Sequence, residues 1–264
     1  MKITIIGAGN MGGAIARGLT SGEKSSDIRL TCTARTEQTL AKIRNTRPEI
    51  RTTTDNVEAV KGADIVLLAV KPWFIRETLI QIRPVLDLEK QIVVSVAAGI
   101  SFDELEQWLV ADGDRSKPTL FRAIPNTAAA VGESMTFLAP RHASAEQQNL
   151  LAELFGALGE VMIVDEKQLE VGMALASCGI AYALRYVRAA TEGGVQLGMR
   201  AGDAQRVVVQ TIKGAAALLA ASGNHPEAEI DKVTTPGGIT IRGLNEMERS
   251  GFTAAVINGL LASK

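Results

Sequence analysis

The chain has 264 residues, 46% of them hydrophobic, and its formal net charge is only −1. This length and hydrophobic content suit one large or two modest globular domains. The near-neutral charge excludes the basic footprint of a nucleic-acid-binding protein, and the two distant cysteines, Cys32 and Cys178, exclude a disulfide framework and a cysteine-based metal site.

The N-terminal stretch MKITIIGAGNMG lacks the charged start and long apolar run of a signal peptide. The most apolar later stretch, VGMALASCGIAYAL, is shorter than the roughly 18 residues that span a bilayer. We therefore expect a cytoplasmic protein that binds neither a membrane nor nucleic acid, with no metal site.

Strands and helices alternate in the first half of the chain. The predicted strands are KITII, IRLTCT, ADIVLLAV, QIVVSVAA, TLFRAI, SMTFLA and EVMIV. The predicted helices are Met11 to about Leu19, TEQTLAKIR, FIRETLIQIRPVL, SFDELEQWL and SAEQQNLLAELFGAL. Ser101 and Glu104 have the spacing of a capping box at the start of SFDELEQWL. This alternation predicts an α/β, Rossmann-type, doubly wound and mainly parallel sheet.

The pattern changes after about Val164, because no convincing strand follows Glu166. The stretch from Gln168 to Gly198 predicts one long apolar helix or a broken pair, and DAQRVVVQTIKGAAALLAAS predicts another helix. Two shorter helices are predicted after the PGG stretch. We place a dinucleotide-binding domain at 1–164 and an all-α dimerisation and substrate-binding domain at 165–264, since the Ala-rich helices expose more apolar surface than they can hide alone.

A glycine motif joins the first strand to the first helix. Gly7, Gly9 and Gly12 form G-x-G-x-x-G: the first glycine permits a tight turn, the second lets a pyrophosphate approach the backbone, and the third allows close helix packing. The N–H groups at the helix start can bind phosphate. The motif in this context predicts a dinucleotide site, although a purely structural turn is the alternative.

The end of the second strand indicates which dinucleotide binds. An NAD site has an acidic residue there for the ribose hydroxyls, but this chain has Arg35, flanked by Thr33 and Thr36. An arginine and hydroxyl groups suit a 2′-phosphate, so we expect NADPH, with NADH as a weaker cofactor. The alternative is that Arg35 is a solvated surface residue.

Several segments together resemble the pyrroline-5-carboxylate reductase family over essentially the whole chain. They are GAGNMGGAIARGL, DNVEAVKGADIVLLAVKP, VVSVAAGIS, RAIPNT, EGGVQLGM and HPEAEIDKVTTPGGITIRGLNEMERSGF. The chain departs from the family's M-P-N-T-P and S-G-S-G-P-A-Y patterns at Ile124, Ala128, Cys178 and Ile180. The resemblance implies reduction of the cyclic imine 1-pyrroline-5-carboxylate to L-proline by hydride transfer, in proline biosynthesis. It also implies a homodimer or a ring of dimers.

The resemblance and the strand ends together imply a set of site residues. Cofactor contacts are expected at Gly7, Ala8, Gly9, Asn10, Met11, Gly12, Arg35, Thr36, Asn56, Ala69, Val70, Lys71, Pro72, Ala97, Ala98, Gly99, Pro125 and Asn126. Substrate contacts are expected at Ser177, Cys178, Thr235, Pro236, Gly237, Gly238 and Thr240. Thr240 is implied as the hydrogen-bond partner of the imine nitrogen, and Lys71 is the second catalytic candidate, with a structural or surface role as its alternative.

The PGG stretch predicts a helix start at Pro236, whose free N–H groups would hold the substrate carboxylate. A protonated imine needs orientation and exclusion of water more than a strong general acid. In agreement, no Lys or His lies between Gln168 and Ile212. Two alternatives stay open: an NADP-linked 3-hydroxyacid-type dehydrogenase, which requires a proton-handling side chain, and a non-catalytic NADP-binding protein.

Overall fold

The computed structural model describes residues 1–21, 27–111 and 116–263. The chain forms two compact units, Met1–Ser177 and Cys178–Lys264. No helix in this described part combines the length and the apolar character that crossing a bilayer requires.

The first unit contains an eight-stranded sheet, and its strand order is β3-β2-β1-β4-β5-β6-β7-β8. The strands are β1 (Lys2–Ile6), β2 (Arg29–Thr33), β3 (Arg51–Thr53), β4 (Ile65–Leu68), β5 (Ile92–Ser95), β6 (Leu120–Ile124), β7 (Ser134–Arg141) and β8 (Gly159–Ile163). Every neighbouring pair is parallel except β6 and β7. The prediction of a mainly parallel, doubly wound sheet is confirmed. The short strand β3 was not predicted, because it carries no apolar run.

Helices cover both faces of this sheet. They are α1 (Asn10–Leu19), α2 (Glu37–Thr46), α3 (Asn56–Val60), α4 (Pro72–Ile82), α5 (Phe102–Leu109), α6 (Ala145–Gly156) and α7 (Leu169–Gly172). Buried residues of α1, α2 and α6 form one core cluster, and those of α3, α4, α5 and α7 form the other. The predicted capping box at the start of α5 is present.

Successive side chains of the central strands point to opposite clusters, as the strand period of two requires. In β4, Ile65 and Leu67 join the α1 side, whereas Val66 and Leu68 join the α4 side. A strand buried on both faces must be continuously apolar. This is why the run ADIVLLAV predicted a central strand correctly.

The second unit consists of helices. They are α8 (Gly179–Gln196), α9 (Ala201–Ser222), α10 (Pro226–Lys232), α11 (Ile239–Arg249) and α12 (Phe252–Leu261). Helices α8 and α9 approach closely, since a Cβ added at Gly194 would lie 2.9 Å from the Ala204 Cβ. Among the described residues of this unit, only Ala204 is buried, and Leu184, Leu197 and Leu218 are exposed.

The apolar stretch after Val164 is a broken set of helical segments. A short 3-10 turn (Glu166–Gln168) precedes α7, and a π-helical segment (Met173–Cys178) separates α7 from α8. Gly172 is required where α7 packs, because a Cβ there would collide with the Phe137 ring. As predicted, the described residues after Glu166 include no strand.

Candidate dinucleotide site at the carboxyl edge of the sheet

The carboxyl ends of the parallel strands meet at one edge of the sheet. From β1 the chain proceeds outward to β2 and β3 on one side, and from β4 to β5 and β6 on the other. The crevice between β1 and β4 is therefore the topological switch point, where open α/β sheets bind ligands. The predicted cofactor residues all follow strand ends at this edge: 7–12 after β1, 35–36 after β2, Asn56 after β3, 69–72 after β4, 97–99 after β5 and 125–126 after β6.

The glycine motif forms a turn whose three glycines meet different surroundings. Gly7 has a φ of +99°, and its N–H and that of Ala8 donate to the Thr33 carbonyl at 3.0 and 2.7 Å. A Cβ at Gly12 would lie closer than 3.0 Å to the Gly7 oxygen, whereas Gly9 has no heavy atom within 4 Å of such a Cβ. The loop is thus closed at Gly7 and Gly12 and open at Gly9.

Helix α1 starts at this open position. Gly9 is its N-cap residue, and no side chain caps the helix start. The first N–H groups of a helix lack intrahelical partners and attract anions. Open space beside uncapped amides fits the pyrophosphate of a dinucleotide.

The end of β2 is the predicted position of the adenosine half of the dinucleotide. The Thr33 hydroxyl donates to Asn56 Oδ1 at 2.6 Å, and Asn56 Nδ2 donates to Gln81 Oε1 at 3.0 Å. Thr36 is the N-cap residue of α2 and accepts from the Thr39 N–H at 3.4 Å. The amide of Asn56 is therefore occupied on both sides by protein groups, which fixes its orientation beside the predicted ribose position.

Arg35 also follows the end of β2, but its neighbour is an aromatic ring. Its guanidinium carbon is 4.3 Å from the centroid of the Phe74 ring. In the described part of the chain, no hydrogen bond or ion pair engages this guanidinium. Gln81 and Phe74 were not predicted, because both belong to α4, far from β2 in sequence.

Lys71 and Pro72 begin helix α4 after the central strand β4. Lys71 is the N-cap residue and Pro72 occupies the first turn. The Lys71 side chain is exposed, and no described residue bonds to its ammonium group. On the next strand, Gly99 has a φ of +75°, and Ala98 and Gly99 are exposed at the edge. These positions leave backbone open beside the switch point.

The end of β6 is held by a small hydrogen-bond network. Asn126 is only 5% exposed. Its Oδ1 accepts from the Ala128 N–H at 2.9 Å, and its Nδ2 donates to the Ala176 carbonyl at 3.5 Å. The Ser177 hydroxyl donates to the Pro125 carbonyl at 2.8 Å. The Asn126 side chain is therefore engaged in hydrogen bonds within the protein. Ser177, a predicted substrate residue, lies against Pro125.

The PGG stretch differs from its prediction. Helix α11 begins at Ile239 with Gly238 as N-cap residue, so the predicted start at Pro236 is wrong. Thr235 to Gly238 form a β-turn in which Gly237 has a φ of +71° and the Gly238 N–H donates to the Thr235 carbonyl at 2.9 Å. Pro and a positive-φ Gly at the two central positions are typical of a type II turn.

The start of α11 has free amides of the predicted kind. No side chain caps the helix, and Thr240 is exposed at its second position. A Cβ at Gly238 would lie closer than 3.0 Å to the Thr235 hydroxyl oxygen. The turn therefore needs glycine at both positions to present the helix start.

The two cysteines differ in their burial. Burial raises the pKa of the Cys32 thiol to about 12, so it is not a nucleophile at neutral pH. Cys178 is half-buried. Residues 1–21, 27–111 and 116–263 contain no group of three His, Cys, Asp or Glu side chains that could hold a metal ion.

The sheet, its glycine loop and the open strand ends define a Rossmann-type dinucleotide-binding oxidoreductase. Residues 2–99 match the family model described as NADP oxidoreductase, coenzyme F420-dependent. Residues 166–264 match the one described as pyrroline-5-carboxylate reductase dimerisation.

Whole-chain comparisons agree with these matches. The chain is 38% identical to pyrroline-5-carboxylate reductase 2 of Dictyostelium discoideum, over 99% of this chain and 90% of that protein. It is 37% identical to pyrroline-5-carboxylate reductase 1 of the same organism, over 99% of this chain but only 48% of that protein, so it spans about half the length of that relative. The chain belongs to the pyrroline-5-carboxylate reductase family.

A solved structure supports the fold. The pyrroline carboxylate reductase of Plasmodium falciparum, crystallised with NADP bound, superimposes with a TM-score of 0.87 at 24% identity, covering all of this chain and 95% of that one.

Proposed function

We propose that this protein reduces 1-pyrroline-5-carboxylate to L-proline with NADPH. The 38% identity to a reductase of that name, over nearly the full length of both chains, carries the proposal. The dinucleotide edge of the first unit and the uncapped start of α11 in the second supply the two binding features that the reaction requires.

The carboxyl edge fits a nicotinamide dinucleotide. When bound, NADPH supplies the hydride. The amides at the start of α1 would hold the pyrophosphate in the open space at Gly9, and Arg35 would bind the 2′-phosphate. The backbone of the loops at 69–72, 97–99 and 125–126 would position the nicotinamide ring.

The start of α11 holds the substrate in this proposal. Its uncapped N–H groups bind the carboxylate, which the positive end of the helix dipole favours. The Thr240 hydroxyl accepts a hydrogen bond from the protonated imine nitrogen and keeps it oriented. Thr235, Pro236, Gly237 and Gly238 shape this start. Ser177 and Cys178 are proposed as further substrate contacts, and Lys71 as the second catalytic residue.

The reaction needs no strong general acid, because an imine nitrogen is basic enough to arrive protonated. This separates the proposal from a 3-hydroxyacid-type dehydrogenase, which must take a proton from an alcohol. The absence of Lys and His from Gln168 to Ile212 favours the imine.

We also propose a homodimer formed by residues 165–264, with rings of dimers as the higher assembly. Exposed apolar side chains of the helical unit support it, among them Leu197 (90% exposed) and Ile239 (81%). Light scattering on the purified chain measures the assembly.

The two free thiols agree with a reducing compartment, and cytoplasmic location is tested by cell fractionation.

The activity is tested by following NADPH oxidation with 1-pyrroline-5-carboxylate. Thr240→Ala should lower kcat at least about tenfold, since the lost hydrogen bond acts on the charged imine, and should leave the Kd for NADPH unchanged. Thr253→Ala is the matched control: Thr253 is the second residue of α12 after a Gly N-cap, and its hydroxyl donates to Glu248 at 2.7 Å.

Two results would contradict the proposal. Unchanged turnover in Thr240→Ala removes Thr240 from the site. NADPH binding without oxidation in the presence of the imine would favour the non-catalytic alternative.

Arg35→Ala should weaken the binding of NADPH but not that of NADH. Equal weakening of both would mean that Arg35 does not contact the 2′-phosphate.

A further inference from the structure

Arg35 has a single described anchor, the ring of Phe74. The guanidinium carbon lies over this ring, 4.3 Å from its centroid. Within the described residues, no carboxylate, hydroxyl or carbonyl group bonds to the guanidinium. The contact therefore restrains the position of the positive charge without using any of its hydrogen-bond donors.

This arrangement suits phosphate binding. A guanidinium held over an aromatic ring keeps its N–H donors available, and these can bind two phosphate oxygens. A free arginine must lose the freedom of its long side chain when it binds a ligand. Stacking on Phe74 removes part of that freedom in advance.

Phe74 itself belongs to a well-anchored helix. Its N–H donates to the Lys71 carbonyl at 2.9 Å in the first turn of α4. Ile75 and Leu79 of the same helix are fully buried. The hydrogen bond from Asn56 to Gln81 adds a second connection between α4 and the predicted adenosine side of the edge. The ring therefore belongs to an anchored helix beside the end of β2.

We infer that Phe74 is a positioning residue for Arg35 and so sets the preference for the cofactor that carries a 2′-phosphate. The inference rests on the proposed function only in that the carboxyl edge binds NADP(H). Phe74 acts through Arg35 and contacts no reacting atom. Its contribution belongs to the affinity for the phosphorylated ribose, and not to the hydride-transfer step.

The test is the binding of adenosine 2′,5′-bisphosphate and of 5′-AMP to the full chain, measured by calorimetry. Phe74→Leu keeps an apolar side chain but removes the π face. Since an exposed cation–π contact has a modest strength, the variant should bind the bisphosphate about two- to fivefold more weakly and 5′-AMP equally well. Phe74→Tyr should restore the affinity to within about twofold of the original.

Two further variants separate positioning from a structural role. Ile80→Ala truncates an apolar side chain of the same helix that is 46% exposed, and should leave both affinities unchanged. In an Arg35→Ala background, Phe74→Leu should cause no additional loss of bisphosphate affinity, because the group that it positions is absent. In steady-state kinetics, Phe74→Leu should raise the KM for NADPH and leave kcat unchanged.

Three outcomes would overturn the inference. Phe74→Leu could weaken the binding of both nucleotides equally, or it could cause the same loss of bisphosphate affinity when Arg35 is already alanine. The third is that the unaltered chain does not bind the bisphosphate. Circular dichroism spectra and melting temperatures show whether each variant is folded. The binding test contains no imine. A chain that fails to reduce 1-pyrroline-5-carboxylate but shows the expected pattern overturns the proposed function alone.

Discussion

Three glycines at the start of α1 should respond to alanine substitution in three different ways. In Gly12→Ala the new Cβ would lie closer than 3.0 Å to the Gly7 oxygen and 3.1 Å from the Ala69 Cβ. Neither neighbour can rotate away, and such overpacking costs about 1–3 kcal/mol. Alanine in a helix recovers about 0.5–1 kcal/mol. Because neither neighbour can move, the cost should lie in the upper part of that range, about 2–3 kcal/mol, which leaves a net loss of about 1–2.5 kcal/mol in the free energy of unfolding.

Gly9→Ala should damage the site more than it lowers stability. Its φ is −73°, outside the positive-φ region that favours glycine, and no heavy atom lies within 4 Å of the new Cβ. Since Gly9 is the N-cap residue of α1, where glycine is preferred to alanine, the free energy of unfolding should fall by about 0.5–1 kcal/mol. The methyl group would occupy the space in which a pyrophosphate approaches the backbone, so NADPH affinity should fall at least about tenfold, or about 1.4 kcal/mol.

Gly13→Ala is the control on the same helix. Its new Cβ would meet the Arg17 Nη1 at 3.4 Å and the Ile43 Cδ1 at 3.5 Å, which are ends of flexible side chains. Stability should be unchanged or higher by about 0.5–1 kcal/mol, with unchanged NADPH affinity. Urea unfolding without cofactor measures stability, and quenching or enhancement of NADPH fluorescence measures affinity. If Gly9→Ala binds NADPH normally, or unfolds as easily as Gly12→Ala, the reasoning is wrong.

Three other predictions concern the first unit. Cys32, whose pKa burial raises to about 12, should resist iodoacetamide at pH 8 until the protein unfolds, and mass spectrometry detects any earlier labelling. Ser101→Ala should lower the free energy of unfolding by about 1 kcal/mol, because the α5 cap is lost, whereas Ser101→Thr should retain most of it. Hydrogen bonds from the Ser101 N–H and then its hydroxyl lower the pKa of Glu104 below 4.5. The ionised Glu104 therefore stabilises the fold fully above pH 4.5, and this stabilisation is lost as the pH falls through the lower pKa of the folded state. Glu104→Gln should flatten the decrease in the free energy of unfolding with falling pH in this range. An unchanged slope would contradict this prediction.

Local patterns predicted much of the fold correctly. The apolar run at Ile65–Leu68 indicated a strand buried on both faces, and the Ser101 capping box marked a helix start, because both signals depend on neighbours in sequence. Strand β3 escaped prediction, since its residues Arg51–Thr53 show no apolar pattern and form a strand only by pairing with β2.

The error at Pro236 has a similar physical reason. Proline is favoured in the first turn of a helix, so PGG was interpreted as a helix start. The same residues also suit a type II turn, and the hydrogen bond from the Gly238 N–H to the Thr235 carbonyl shows that the turn prevails. The helix begins three residues later, although its uncapped amides remain near the predicted position.

The amino-acid sequence by itself determined most of the order of strands and helices, the glycine loop and the family, since these depend on contiguous residues. Only the tertiary structure decided which predicted side chains are free to act. Asn126 bonds to Ala128 and Ala176, and Asn56 bonds to Thr33 and Gln81. Arg35 lies over the Phe74 ring, and no described residue bonds to its N–H donors. These partners lie up to 50 residues apart in the chain. Packing of the helices on the sheet brings them together, and no short stretch of sequence carries that information.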